Sequence, residues 1–194
     1  MKKLTGFIKK YWILIMLVLA GILYVINFFL KGPISPVTPT PTPINKIAAF
    51  GSLIPGVSNE NDVLNVLGRP IDTKTENGLV TSQYKSTNQY RFNKVIFTNG
   101  TTKLIKEIVN SNDNKDASSI TSIYGAPQYT LYEKLSNSVF NLYVYPQNGI
   151  AYLGATDGTL KEIWYFEPTT IDNFIKDWGQ DFATTPVGEK DSAY

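Results

Sequence analysis

Neither histidine nor cysteine occurs anywhere in the 194 residues. That removes the commonest general base, the thiol nucleophile and the side chains that most often hold zinc. Any chemistry would fall to carboxylates, lysines, hydroxyls or tyrosines. Ser118 and Ser119 open no S-x-x-K arrangement, because Thr121 and Ser122 stand where the lysine would be needed. Glu60 and Asp62 fall at the start of a predicted helix, where acidic side chains favour the helix dipole. The stretch NSNDNKD (110–116) alternates Asn112, Asn114 and Asp116 in the manner of a calcium loop. It fails at the glycine position, which is Ala117, and at the bidentate glutamate, which is Ile123, so it reads as a turn. Gly149, Gly154 and Gly158 are spaced as hairpin and strand glycines, not as a phosphate loop. The expectation is a chain that is not an enzyme, with no catalytic or metal-binding residues and no cofactor.

Binding is the better-supported chemistry, and aromatic residues carry it. Along one predicted strand Phe140, Leu142 and Val144 share a face while Tyr143 and Tyr145 share the other. Along the last, Trp164 and Phe166 alternate with Ile163 and Tyr165. Strands that are apolar or aromatic on both sides exceed what a one-sided core requires. Either a further segment covers the second side, or the side is open to a partner. On the second reading Tyr143, Tyr145, Tyr152, Trp164 and Tyr165 form the candidate partner-binding face, since Tyr and Trp are enriched at interfaces.

The elements that would position these residues read as one unit written twice. The first copy opens with GVSNENDVLNVLGRP (56–70) and the second with NDNKDASSITSIYGAP (112–127). The two Gly-x-Pro ends lie 57 residues apart, and two later Lys-Glu-Ile triplets, at 106–108 and 161–163, lie 55 apart. In copy one Ser58 is a candidate N-cap. Val63, Leu64, Val66 and Leu67 make an apolar stripe, and Gly68 stops the helix. In copy two Asp116 caps, Ile120, Ile123 and Tyr124 form the stripe, and Gly125 stops it. Strands are predicted at 79–86, 89–98 and 102–109, then at 138–146, 149–156 and 160–167. Asn99-Gly100 joins the second and third of these as a hairpin turn, a stronger reason for the pair than the glycosylation sequon it makes with Thr101. A short helix with a capping threonine is predicted at 169–179, and the polar tail 180–194 reads as disordered.

Helix, Gly-x-Pro and an antiparallel meander, with motifs such as VLNVLGRP, resemble the SmpA/OmlA (BamE-like) family. The tandem form is similar to the repeats of the β-lactamase-inhibitor-protein family. The resemblance covers roughly 53–167 and implies a non-enzymatic, protein-binding module. This chain carries neither a lipidated cysteine nor the inhibitor's cysteines.

Residues 11–30, YWILIMLVLAGILYVINFFL, hold twenty residues without a charge, enough for a helix of roughly 30 Å to cross a bilayer. Lys2, Lys3, Lys9 and Lys10 precede the run and Lys31 alone follows it closely. The bias predicts a cytoplasmic N-terminus (1–10) and an extracytoplasmic remainder. Prolines 33, 36, 39, 41 and 43 make 31–45 an extended linker. Five of the 18 basic residues belong to the run and its flanks, leaving 13 against 16 acidic residues beyond it, so the basic pI gives no reason to expect nucleic-acid binding. Without disulfides, the remainder must be stabilised by its own core.

The expected fold is therefore α+β. An N-terminal transmembrane helix at 11–30 is followed by an extracytoplasmic domain of two tandem helix–three-strand antiparallel repeats, 46–110 and 111–168. The expected function is a membrane-anchored, non-catalytic module in the cell envelope that binds a protein or envelope polymer through the aromatic face. A structural subunit of an envelope assembly is the alternative. The partners expected are the membrane, through 11–30, and that protein or polymer, with no nucleic acid.

Overall fold

The computed structural model describes residues 46–135 and 138–186. Helix α1, Glu60–Leu67, is capped one residue later than expected. The Asn59 side chain accepts from the backbone N–H of Asn61 and Asp62, and the Asp62 carboxylate accepts in return from Asn59 N–H at 2.8 Å. This is a reciprocal capping box. Ser58 instead turns its hydroxyl back to accept from Ile54 N–H. Helix α2, Ala117–Tyr124, is capped by Asp116, and helix α3, Ile171–Asp177, by Thr170.

The strands are β1 (Asp72–Glu76), β2 (Leu79–Tyr84), β3 (Asn93–Thr98), β4 (Thr101–Ile108), β5 (Tyr129–Glu133), β6 (Phe140–Tyr145), β7 (Ile150–Ala155), β8 (Leu160–Phe166) and β9 (Phe182–Ala183). All pair antiparallel in one sheet, in the order β1-β2-β3-β4-β8-β7-β6-β5-β9. The hairpin at Asn99-Gly100 has φ of +49° and +73°, and Asn77-Gly78 makes the same turn between β1 and β2 with +49° and +78°. Positive φ at both central positions matches the right-handed twist of the flanking strands.

This architecture corrects the expected one. In place of two tandem helix–three-strand repeats, a single nine-stranded antiparallel sheet dominates the described residues, with short helices packed on it. No described helix is long and apolar enough to cross a membrane. The run at 11–30 and the linker at 31–45 lie outside the described residues. Two strands escape the hydrophobic pattern. β1, DTKTE, has no apolar side chain and is exposed at all five positions, so only its pairing with β2 makes it a strand. β5 starts one residue after Gly-Ala-Pro and pairs with β6. The two meanders also merge, because β4 pairs with β8. The tail expected to be disordered contributes β9, which pairs with β5 through Tyr132 and Glu133.

Because the period of a strand is two, the sheet has two sides, and each carries a core. On the first side Val63 of α1, Ile120 of α2 and the segment Ala48–Leu53 pack on Tyr84, Val95, Phe97, Ile105, Tyr145, Ile163 and Tyr165. On the second, Phe174 of α3, with Ile171, Ile175 and Phe182, packs on Leu104, Leu142, Val144, Leu153, Trp164 and Phe166.

Candidate binding face

The five aromatic residues expected to form a partner face do not form one. Tyr145 is wholly buried, and its hydroxyl donates to the Gly125 carbonyl at 2.8 Å. Tyr152 is buried, stacked at 4.8 Å against the half-buried Tyr143. Tyr165 is buried and donates to the Glu107 carboxylate at 2.8 Å. These four belong to the first side, under α1 and α2. Trp164 is buried on the second, between Phe174 at 6.3 Å and Phe182 at 6.0 Å. The correction has a simple cause. Both sides of β6 and β8 are covered, one by the paired helices and the other by the C-terminal segment. Burial also raises the hydroxyl pKa values: strongly for Tyr145 and Tyr165, and to about 12 for Tyr152.

The open surface lies elsewhere on the second side. One row of directly opposed residues crosses the sheet as Asp72, Gln83, Lys94, Lys106, Trp164, Ala151, Val144 and Tyr129. Opposed residues share a side. The row is buried and apolar from Trp164 through Val144, beneath α3. From Lys106 to Asp72 it is polar. Asp72, Lys74, Glu76, Leu79 and Lys94 are exposed here, and Thr81, Gln83, Ile96, Thr98 and Lys106 are half-buried.

Two clefts open on this polar half. The first, of about 330 Å³, is lined by Gln83, Tyr90, Arg91, Lys94, Lys106 and Glu162 among others. The second, of about 660 Å³, lies between Leu79 and Thr98 and the end of α3 at Trp178, with the 2.7 Å Lys103–Glu167 ion pair along it. In the first, both carboxylate oxygens of Glu162 have partners. One carboxylate oxygen pairs with Arg91, and the other accepts from Trp164 Nε1 at 2.8 Å. The Lys106 ammonium sits 3.5 Å from the centre of the Trp164 ring, a cation–π contact at the boundary between the apolar and polar halves. Burial depresses the Lys106 pKa. Glu162 and Asp181 oppose that shift and Lys94 adds to it.

Among the described residues no group of three or more acidic side chains could hold a metal ion. The arrangement offers cations, amides and an aromatic rim, and so suits recognition. Reading the sequence misses it because Lys94 and Lys106 sit in separate strands, and only the β3–β4 register brings them face to face.

Neither the protein-family models nor the curated protein sequences give a match to this chain. Among solved structures the chain is similar to a DUF4309 family protein (YjgB) of Bacillus subtilis, at 15% identity and a TM-score of 0.42, covering 65% of this chain and 87% of that one. It is also similar to a cysteine-rich secretory protein of Staphylococcus aureus, at 9% identity and a TM-score of 0.42, covering 73% of this chain. There the match spans 52%, about half, of the other protein's length. Likeness at this level establishes neither a shared family nor a shared activity. It also leaves the resemblance to the SmpA/OmlA family untested.

Proposed function

We propose that the chain is a non-catalytic binding module whose partner, a protein or an envelope polymer, seats on the polar half of the second sheet side. The observation that supports this is the change along one row of the sheet. Along that row the side is covered and apolar from Trp164 to Val144, yet over β1–β3 it is exposed or half-buried and bordered by two clefts. A surface needed only for solubility would call for no such clefts, and most binding sites are concave. An extracytoplasmic setting goes with this reading, on the lysine bias around residues 11–30.

Thr81 stands in the middle of the open half, opposite Ile96 and Lys74. Thr81→Arg in the full-length chain should abolish partner capture from envelope extract while leaving thermal unfolding unchanged. Asn61→Arg, on the exposed surface of α1, should capture as the unaltered protein does. Equal capture by both variants would remove this face from the function.

A further inference from the structure

Lys94 and Lys106 are direct partners in the β3–β4 register and lie on one side of the sheet. Like charges opposed across a ladder destabilise it. Neither lysine takes part in an ion pair among the described residues, where the pairs are Arg91–Glu162, Lys103–Glu167 and Lys115–Glu107. The carboxylate of the cleft, Glu162, makes its direct contacts to Arg91 and the Trp164 indole, and acts on Lys106 without an ion pair. Three cations therefore line a space of about 330 Å³ with one acid, Glu162, while Asp181 acts on Lys106 from outside that lining. A fold with no use for this pair could place any polar residue at position 94, which is exposed.

Resting on the reading above, we infer that this cleft is an oxyanion site for a phosphate-type group, held between the ammonium groups of Lys94 and Lys106. The group comes either from a small phosphate compound or from a phosphodiester polymer. Arg91, Lys94 and Lys106 against Glu162 and the nearby Asp181 still leave an excess of positive charge that suits such a group, and each contact would be a charge-assisted hydrogen bond. Lys106 is already held by the Trp164 ring, so less side-chain freedom is lost when the anion arrives. Gln83 supplies a neutral amide donor, and Tyr90, 82% exposed at the rim, offers a ring to whatever carries the phosphate.

The test is thermal unfolding of the full-length chain at constant ionic strength in chloride, acetate, inorganic phosphate and a glycerol-phosphate polymer. Phosphate should raise the midpoint above chloride and acetate. Lys94→Gln and Lys106→Met should each weaken phosphate binding by about tenfold or more, the loss of one charged hydrogen bond. Lys74→Gln, on the same side but two strands from Lys94, should leave it unchanged. Lys94→Gln alters an exposed side chain, so it decides the matter even if Lys106→Met fails to fold. A larger rise with the polymer at equal phosphate assigns the site to a polymer, and an equal rise assigns it to a small phosphate. No rise over chloride, an equal rise in acetate, or an equal loss in Lys74→Gln overturns the oxyanion site. Each of those results leaves the partner face, tested separately by Thr81→Arg, standing.

Discussion

The two halves of the sheet's second side are continuous in backbone and opposite in chemistry. Over β5–β8 the side carries Leu142, Val144, Leu153, Trp164 and Phe166, closed off by Phe174 and Phe182. Over β1–β3 it carries Asp72, Lys74, Thr81, Gln83 and Lys94, with only Ile96 reaching the apolar cluster. Hydrogen-bonded pairing is the same in both. Covering is what differs, and covering decides whether a strand side must be apolar or is free to recognise something. Trp164 and Lys106 meet at the seam, where a ring buried on one half holds a cation belonging to the other.

The largest test of this contrast compares one residue from each half. Phe174 is wholly buried, with its ring 4.6 Å from that of Phe166. Phe174→Ala removes the main plug of the dry half and should cost about 3–5 kcal/mol in chemical denaturation. Lys94→Ala, on the wet half, should fall within about 0.5 kcal/mol of the unaltered protein. Comparable losses in the two variants would mean the wet half is covered as well.

A second test probes the first side, where polar groups are buried in pairs. Glu107 is buried, and it accepts from Tyr165 at 2.8 Å and pairs with Lys115. Tyr165→Phe leaves that carboxylate one donor short and should cost about 1–3 kcal/mol near neutral pH. The pH dependence carries its own sign. The hydroxyls of Tyr145, Tyr152 and Tyr165 have folded-state pKa values raised above the ordinary value, chiefly by burial. Their contribution to stability is full below about pH 10, and it is lost as the pH climbs from there toward the raised values. Denaturation followed from pH 9 to 12 should show stability falling, and Tyr165→Phe should fall less steeply than the unaltered chain. Parallel curves would show that Tyr165 does not titrate differently in the two states.

These contrasts also mark what the sequence could disclose. The helices at 60–67, 117–124 and 171–177 were legible, because capping side chains and terminating glycines act locally. So was the Asn99-Gly100 turn, for the same reason. The strand DTKTE was not, since its only warrant is the partner beside it. The duplicated Lys-Glu-Ile triplets mislead more deeply. Glu107 points to the first side, onto Tyr165, while Glu162 points to the second, onto Arg91 and the Trp164 indole. The register slips in the β3–β4 and β7–β8 pairs, next to Phe97 and Gly154, alter the alternation that would otherwise place such triplets alike. Surplus aromatic residues in β6 and β8 signal a second covered side just as well as an open one. The coverer was the predicted helix at 169–179 together with Phe182, from a tail that looked disordered.

The smallest expected effect tests whether buried polar groups on the first side are kept for pairing. Thr102 is wholly buried opposite Phe97, and its hydroxyl oxygen has no hydrogen-bond partner among the described residues. Its backbone is fully used, with N–H donating to the Ser58 carbonyl at 2.9 Å and C=O accepting from Gly56 N–H at 2.7 Å. Valine matches the shape of threonine and brings no hydroxyl to desolvate. Replacing an unpaired polar group by an apolar one of the same shape is near neutral or favourable. Thr102→Val should therefore leave stability unchanged or raise it by up to about 1 kcal/mol, read from the denaturation midpoint at a constant slope. A loss of more than about 1 kcal/mol would mean the hydroxyl is satisfied in solution, as a bridging water would do. Thr102 would then join Glu107 as a polar group held by its partners. The expected result instead makes Glu107 the group kept for its pairing, and Thr102 one that the segment before α1 merely covers.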